Sequence, residues 1–204
     1  MNSMEIVITS RGAGMQTALE KTEQIGRDSG LAPKEMLHLR LLAEELFGMV
    51  RGVVGEVKAW YRIDHLGKHF ALHLQSDIAL NQGTWNQLLA LSTSGTNSAA
   101  VGFMGRLREM ITLMLLPPDD GLQARAPEMM NLGRPAASRV NSDRYDWSLK
   151  TYRVGVESTL GRDEYAREAK DELEKSIVAN IADDVSVGIE GSYVEITIMK
   201  DFGR

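Results

Sequence analysis

The stretch Leu37 to Gly55, LHLRLLAEELFGMVRGVVG, constrains the fold more than any other part of the chain. On a 3.6-residue wheel, Leu39, Leu42, Leu46, Met49, Val50 and Val53 fall on one wide stripe, recurring by threes and fours, so that side of a helix belongs to a core. Leu41, Glu44, Glu45, Gly48, Gly52 and Gly55 share the opposite side. Each glycine inside a helix costs roughly 0.8–1 kcal/mol against alanine. Such glycines beside two carboxylates fit either of two arrangements. A second element packs closely on the glycines while the glutamates reach solvent, or the helix floors a ligand pocket. Taken alone, the packing arrangement is the simpler.

Around this helix, the chain has enough apolar residues for a full core. It has 204 residues, 43% of them hydrophobic, which suits one domain or one domain with a large insertion. Twenty-three Lys plus Arg against 28 Asp plus Glu leave a net charge of −5. That balance argues against a nucleic-acid binder relying on phosphate neutralisation. There is no cysteine, so disulfides and thiolate metal sites are excluded and nothing points to an oxidising compartment. The start MNSMEIVITSRGAG lacks a basic region followed by an apolar run, so no secretory signal is expected. The apolar run Met110 to Leu116 is far short of the ~20 residues of a membrane span. The expectation is a cytoplasmic protein without nucleic-acid or membrane partners.

Met4 to Thr9 reads as a short strand, and Arg11 to Ile25 as a helix. Gly12-Ala13-Gly14 between them has the outline of a dinucleotide-binding turn, but Thr17 stands where the third glycine would be, and no second parallel strand follows. Pro33 suits the first turn of the central helix. Val57 to His65 and Phe70 to Ser76 alternate about Leu66-Gly67-Lys68, a hairpin signal. His69 and His73 lie ~13 Å apart on a strand, too far to share a metal ion, and are expected to face solvent or a partner. Trp85 to Ser92 reads as a short helix. The loop Ser92 to Ser98 then leads into a strongly apolar helix, Ala99 to Leu116, with Gly102 and Gly105 in its first turns. A small polar loop opening a helix suits an anion, because free N–H groups and the helix dipole both favour negative charge; a plain helix cap has the same sequence. Asp119 to Asp146 has no sustained period. Trp147 to Val156 resembles a strand, and Arg162 to Ala182 a charged helix. Strands around Glu190-Gly191-Ser192 make a second hairpin.

This order of elements resembles the GHKL superfamily of gyrase, Hsp90 and histidine-kinase ATPase domains, and within it the anti-sigma-factor kinases. Leu41-Leu42-Ala43-Glu44 is similar to the first half of that family's central-helix motif, in which the glutamate serves as general base. The magnesium-binding asparagine four residues on is replaced by Gly48, or by Met49 when counted from Glu45, and neither coordinates a hard cation. Asp77 stands in the place of the adenine-binding aspartate, although strand parity also allows Ser76. Ser94-Gly95-Thr96-Asn97 with Gly102 and Gly105 resembles the phosphate-clamping lid.

The resemblance implies an α+β, two-layer α/β sandwich with a mixed, mostly antiparallel sheet and helices on one face. It implies a single domain over 1–204, with 117–182 as an insertion or elaboration. For function it implies an ATP or ADP site with Glu44 as the catalytic carboxylate. Glu45, Gly48, Asp77, Gly95, Thr96, Asn97, Gly102 and Gly105 would be the binding residues, and the Mg²⁺ ligand is missing. Phosphoryl transfer rests on positioning and on the cation's charge, so a regulatory role with weak or no catalysis is expected rather than an active kinase. The alternative is a degenerate interaction module that binds no nucleotide. In either case a protein partner could engage residues 117–146, and a homodimer is compatible with the sequence. Four scattered histidines and no nucleophile-elbow pattern argue against a hydrolase or metal enzyme.

Overall fold

The computed structural model describes residues 5–51, 57–78, 102–115, 144–161 and 164–203. In chain order, these form β1 (Ile6–Thr9), α1 (Met15–Asp28), α2 (Pro33–Arg51), β2 (Lys58–Leu66), β3 (His69–Asp77), α3 (Phe103–Met114), β4 (Arg144–Ser148), α4 (Leu149–Thr159), α5 (Glu164–Lys175), α6 (Ile177–Ile181), β5 (Asp184–Glu190) and β6 (Tyr193–Asp201). The strands form one six-stranded sheet in the order β1-β2-β3-β6-β5-β4. Every pairing in it is antiparallel. The expected mixed sheet is therefore replaced by a wholly antiparallel one. Two tight hairpins supply four of its strands, each turning at a glycine with positive φ, Gly67 at 58° and Gly191 at 59°. β4 then joins the β5 edge antiparallel as well.

Strand alternation sorts the sheet into two faces. Ala59, Tyr61, Ile63, Phe70, Leu72, Leu74, Val187, Ile189, Val194, Ile196 and Ile198 are buried on one side, beneath the helices. No helix among the described residues covers the other side, which carries Trp60, Arg62, Asp64, Gln75, Tyr193 and Glu195. His69 and His73 point to this side as expected. His73 Nδ1 lies 3.1 Å from Thr197 Oγ1, and its Nε2 lies 3.3 Å from Asp64. Burial holds its pKa below the ordinary histidine value and Arg62 adds to that, with Asp64 and Glu195 opposing.

The apolar stripe of α2 lands on the covered face. Leu39, Leu42, Leu46, Met49 and Val50 are all buried, as their spacing implies. Phe47 meets Tyr61 edge-on with ring centroids 4.9 Å apart, a favoured aromatic geometry. The Tyr61 hydroxyl lies 2.7 Å from Thr22 Oγ1, and Thr22 also donates to the Ala18 carbonyl at 2.8 Å. These bonds satisfy the buried hydroxyls that join α1 to β2.

The core also takes in Trp147, Leu149, Tyr152, Val156, Ala169, Leu173, Val178 and Ala179 from later in the chain. The expected strand Trp147 to Val156 ends at Ser148, where α4 begins. Ser148 Oγ accepts from Thr151 N, and the buried Asp184 accepts from Lys150 N at 3.0 Å. The free N–H groups of the first turn are thereby satisfied. Leu149, Tyr152 and Val156, spaced three and four apart, are the buried side. The single charged helix expected over 162–182 is two helices, broken at Ser176, whose Oγ caps α6 by accepting from Ala179 N. Arg106 of α3 ties α5 to the core through Glu172 at 2.8 Å and the Tyr165 ring. Among the described residues, no helix is long and apolar enough to cross a membrane.

At the start of α1, Gly14 has φ 75°, and a Cβ there would lie 2.0 Å from the Val7 carbonyl oxygen. Gly14→Ala is expected to lower unfolding free energy by at least about 2 kcal/mol, read by urea titration. Tyr61→Phe should cost about 1 kcal/mol through the lost bond to Thr22. Burial also raises the phenol of Tyr61 above its ordinary value of 10.0, and that of Tyr152 to about 12. The folded chain then keeps protons that the unfolded chain releases. Stability is complete below pH 10 and falls as pH rises beyond it, less steeply in Tyr61→Phe.

Candidate functional site

Where α2 ends beside α3, the covered face of the sheet is not fully filled. A half-open cleft remains, with a cavity volume of about 40 Å³. At the 10–15 Å³ that one water needs, it has room for roughly three. The α3 side is a stripe at helical spacing, Arg108, Ile111, Thr112 and Leu115. Met49 and Val50 come from α2, Leu74, Ser76 and Ile78 from β3 and its exit, Val194 and Ile196 from β6, and Val57 from the approach to β2. The walls are thus apolar apart from one serine, one threonine and one arginine.

Arg108 is the unusual member. Its Nη2 donates to the Gly48 carbonyl oxygen at 3.2 Å. Its Nε is buried and has no hydrogen-bond partner. Burial pushes this guanidinium below its ordinary pKa, and the nearby charge of Glu45 offsets part of that. Ser76 Oγ is already committed, donating to the Lys58 carbonyl at 2.8 Å. Among the described lining residues there is no histidine or carboxylate to serve as a general base. The described walls thus place one positive side chain at the edge of an apolar cavity.

The residues singled out in the sequence take up separate places. Glu44 is exposed on the outer side of α2, where its carboxylate accepts from Arg40 Nε at 2.8 Å; Arg40 also pairs with Glu23 of α1. Glu45 is half-buried, and its charge acts on Arg108. Gly48 supplies the carbonyl to Arg108, and a Cβ there would meet nothing within 4 Å. The close approach that would explain a glycine is thus absent at this position. Asp77 is exposed and pairs with Tyr193 on the uncovered face, while Ser76 beside it points under the helices in register with Ala59 and Val194. Parity settles this pair in favour of Ser76 facing the cleft.

Gly102, with φ 83°, opens α3, and Gly105 is buried one turn on. That end of α3 is occupied by Phe103, packed against Trp147 and Tyr152. The cleft begins further along the helix, at Arg108, which six residues at 1.5 Å put about 9 Å from Gly102. Gly95, Thr96 and Asn97 lie outside the described residues, as do Gly52, Gly55, the helix expected over 85–92 and residues 119–143 of the loop expected over 119–146; the last three residues of that expected loop are instead the start of β4. Among the described residues, no group of three or more His, Asp or Glu side chains is placed to hold a metal ion.

The sequence reading missed Arg108 and Thr112. The available signal was a cation at the head of an otherwise apolar i, i+3, i+4, i+7 stripe, Arg108-Ile111-Thr112-Leu115. Comparison with protein-family models, with curated proteins and with solved structures gives no match in any of the three.

A buried donor without a partner is a cost of about 1–3 kcal/mol. Arg108→Met keeps most of the side chain's apolar stem and removes that donor. The variant is expected to unfold at the same urea midpoint or a higher one. A marked fall would show that the guanidinium holds the fold together.

Proposed function

We propose that this chain is a regulatory binding domain with the architecture of the histidine-kinase-like ATPases, acting through what it binds rather than by turnover. The observation that carries this reading is the position of Glu44. Its carboxylate is held at the surface by Arg40, while the polar groups of the cleft are an arginine, a serine and a threonine. Phosphoryl transfer needs positioning groups and a metal cation to take up developing charge, and the described cleft walls carry no carboxylate to hold one. The element order supports the architecture: a strand, two helices, a hairpin and a helix, and a terminal hairpin after one more strand and three more helices. The cleft lies between the central helix and the later apolar helix; the resemblance puts its ligand between the central helix and the 92–105 loop. A protein partner engaging residues 117–146 belongs to the same proposal.

A second reading, ATP or ADP bound without catalysis, is favoured by one observation. Ser76, at the strand position next to the adenine-binding acid of the resemblance, faces the cleft. Its hydroxyl is a weaker and uncharged substitute for an aspartate. In this reading Glu45 and Gly48 border the nucleotide, and Gly95, Thr96 and Asn97 close over its phosphates.

Calorimetric titration with ATP and ADP, with and without Mg²⁺, separates these readings when run beside a phosphate-release assay. The regulatory domain releases no phosphate and gives no Mg²⁺-dependent heat. Saturable heat without phosphate release is the result for the second reading. Turnover that depends on Glu44 overturns both.

A further inference from the structure

We infer that the uncovered face of the sheet docks a second copy of this chain, the two sheets packing face to face about a twofold axis that runs along the strands between β3 and β6. This contact is independent of what the cleft binds, because the cleft lies under the opposite face. Among the described residues, eight large apolar side chains are exposed, and five of them stand on this one face: Val7, Trp60, Leu66, Tyr193 and Met199. Single apolar residues are normal on a surface, whereas a concentration on one broad face marks an interaction site. β2, β3 and β6 are each nine residues long in a six-stranded sheet. At about 3.3 Å per residue and about 4.8 Å between strands, the face is on the order of 700 Å². A stable interface takes about 800 Å² from each partner.

The strand register fixes what meets what. Val7, Trp60, Gln75, Glu195, Gly188 and Asp146 form one row across the sheet. Lys58, Asp77, Tyr193, Glu190 and Arg144 stand in the next row on the same face. A twofold axis along the strands reverses the strand order and keeps the rows, so β2 of one copy lies over β5 of the other. Trp60 of one copy then lies over Gly188 of the other, and Lys58 over Glu190, each contact occurring twice. Gly188 has no side chain, and Arg144 lies across it: a Cβ there would be 2.7 Å from Arg144 Nη2. The indole thus meets a guanidinium already paired with Asp146 at 2.9 Å, a cation–π arrangement. Lys58 and Glu190 are both exposed and, among the described residues, have no ion-pair partner within the chain. Each supplies the charge that the other lacks. Elsewhere on the face, Arg62 pairs with Asp64 at 3.1 Å and Gln75 donates to Glu195 at 2.9 Å, so these groups enter the contact already paired.

Sedimentation equilibrium of the full chain tests this. A reversible monomer–dimer equilibrium is expected, with monomer prevailing at about 1 µM and dimer at about 500 µM, as suits an interface of this modest size. Trp60→Glu should weaken dimerisation at least about tenfold. Lys58→Glu and Glu190→Lys should each weaken it about tenfold, and the double variant Lys58→Glu/Glu190→Lys should recover most of that loss. Both charged residues are exposed, so this swap does not depend on Trp60→Glu folding normally, and its recovery separates a facing pair from damage to the fold. A chain that stays monomeric up to about 500 µM overturns the proposal and leaves the face to another kind of partner. A dimer that a folded Trp60→Glu variant leaves intact, or that the double charge swap fails to recover, is built in some other way and overturns it as well.

Discussion

The fold depends on the contact between the apolar stripe of α2 and the covered face of the sheet, centred on Tyr61. Tyr61 is fully buried, its ring against Phe47 of α2 and its hydroxyl against Thr22 of α1. One side chain therefore sets the height and rotation of both helices over β2. A phenol in that place must have a hydrogen-bond partner, and only the helix register that presents Thr22 supplies one. Once Leu39, Leu42, Leu46, Met49 and Val50 turn inward, Glu44 must face outward, because it lies on the far side of the same helix.

That rotation also decides what is left for function. Glu44 and Glu45 are separated by about 100° around the axis of α2, so Glu44 reaches Arg40 at the surface and Glu45 acts only at a distance on Arg108. The cleft is the space between the end of α2 and the second half of α3, closed below by β3 and β6. Its chemistry comes from whichever side chains the three elements present there, and those are nearly all apolar. The residues that build the core thus also remove an acid–base pair from the cleft.

Much of this was legible in the sequence, and the exceptions have physical causes. Both hairpins could be read because a glycine able to take positive φ stands between alternating strands, at Gly67 and Gly191. The inward stripe of α2 could be read because helical periodicity survives in a long element. Trp147 to Val156 misled because its short alternating run also fits a helix: Leu149, Tyr152 and Val156 are spaced three and four apart. The decision fell to caps from Ser148 and from Asp184, the latter 36 residues beyond Ser148 in the chain and invisible to a local reading. The same holds at Ser176, where a capping serine divides one charged run into two helices. Asp77 and Ser76 differ by one residue, and only pairing with β6 fixes which faces inward. Arg108 has no signal of its own in the sequence, because a cation on a largely apolar helix reads as a snorkelling surface residue; its buried, unpaired Nε is a matter of three-dimensional packing.

Because the chain contains no cysteine, single cysteines report directly on which side chains face the cleft. Thiol labelling of Glu44→Cys, Asp77→Cys, Ser76→Cys and Ile196→Cys under native conditions tests the geometry on which everything above rests. Glu44→Cys and Asp77→Cys should react at close to the rate of the unfolded chain, and Ser76→Cys and Ile196→Cys at least about tenfold more slowly. Protection at positions 44 and 77 together with rapid labelling at 76 would contradict it, and would return the outer side of α2 to the interior.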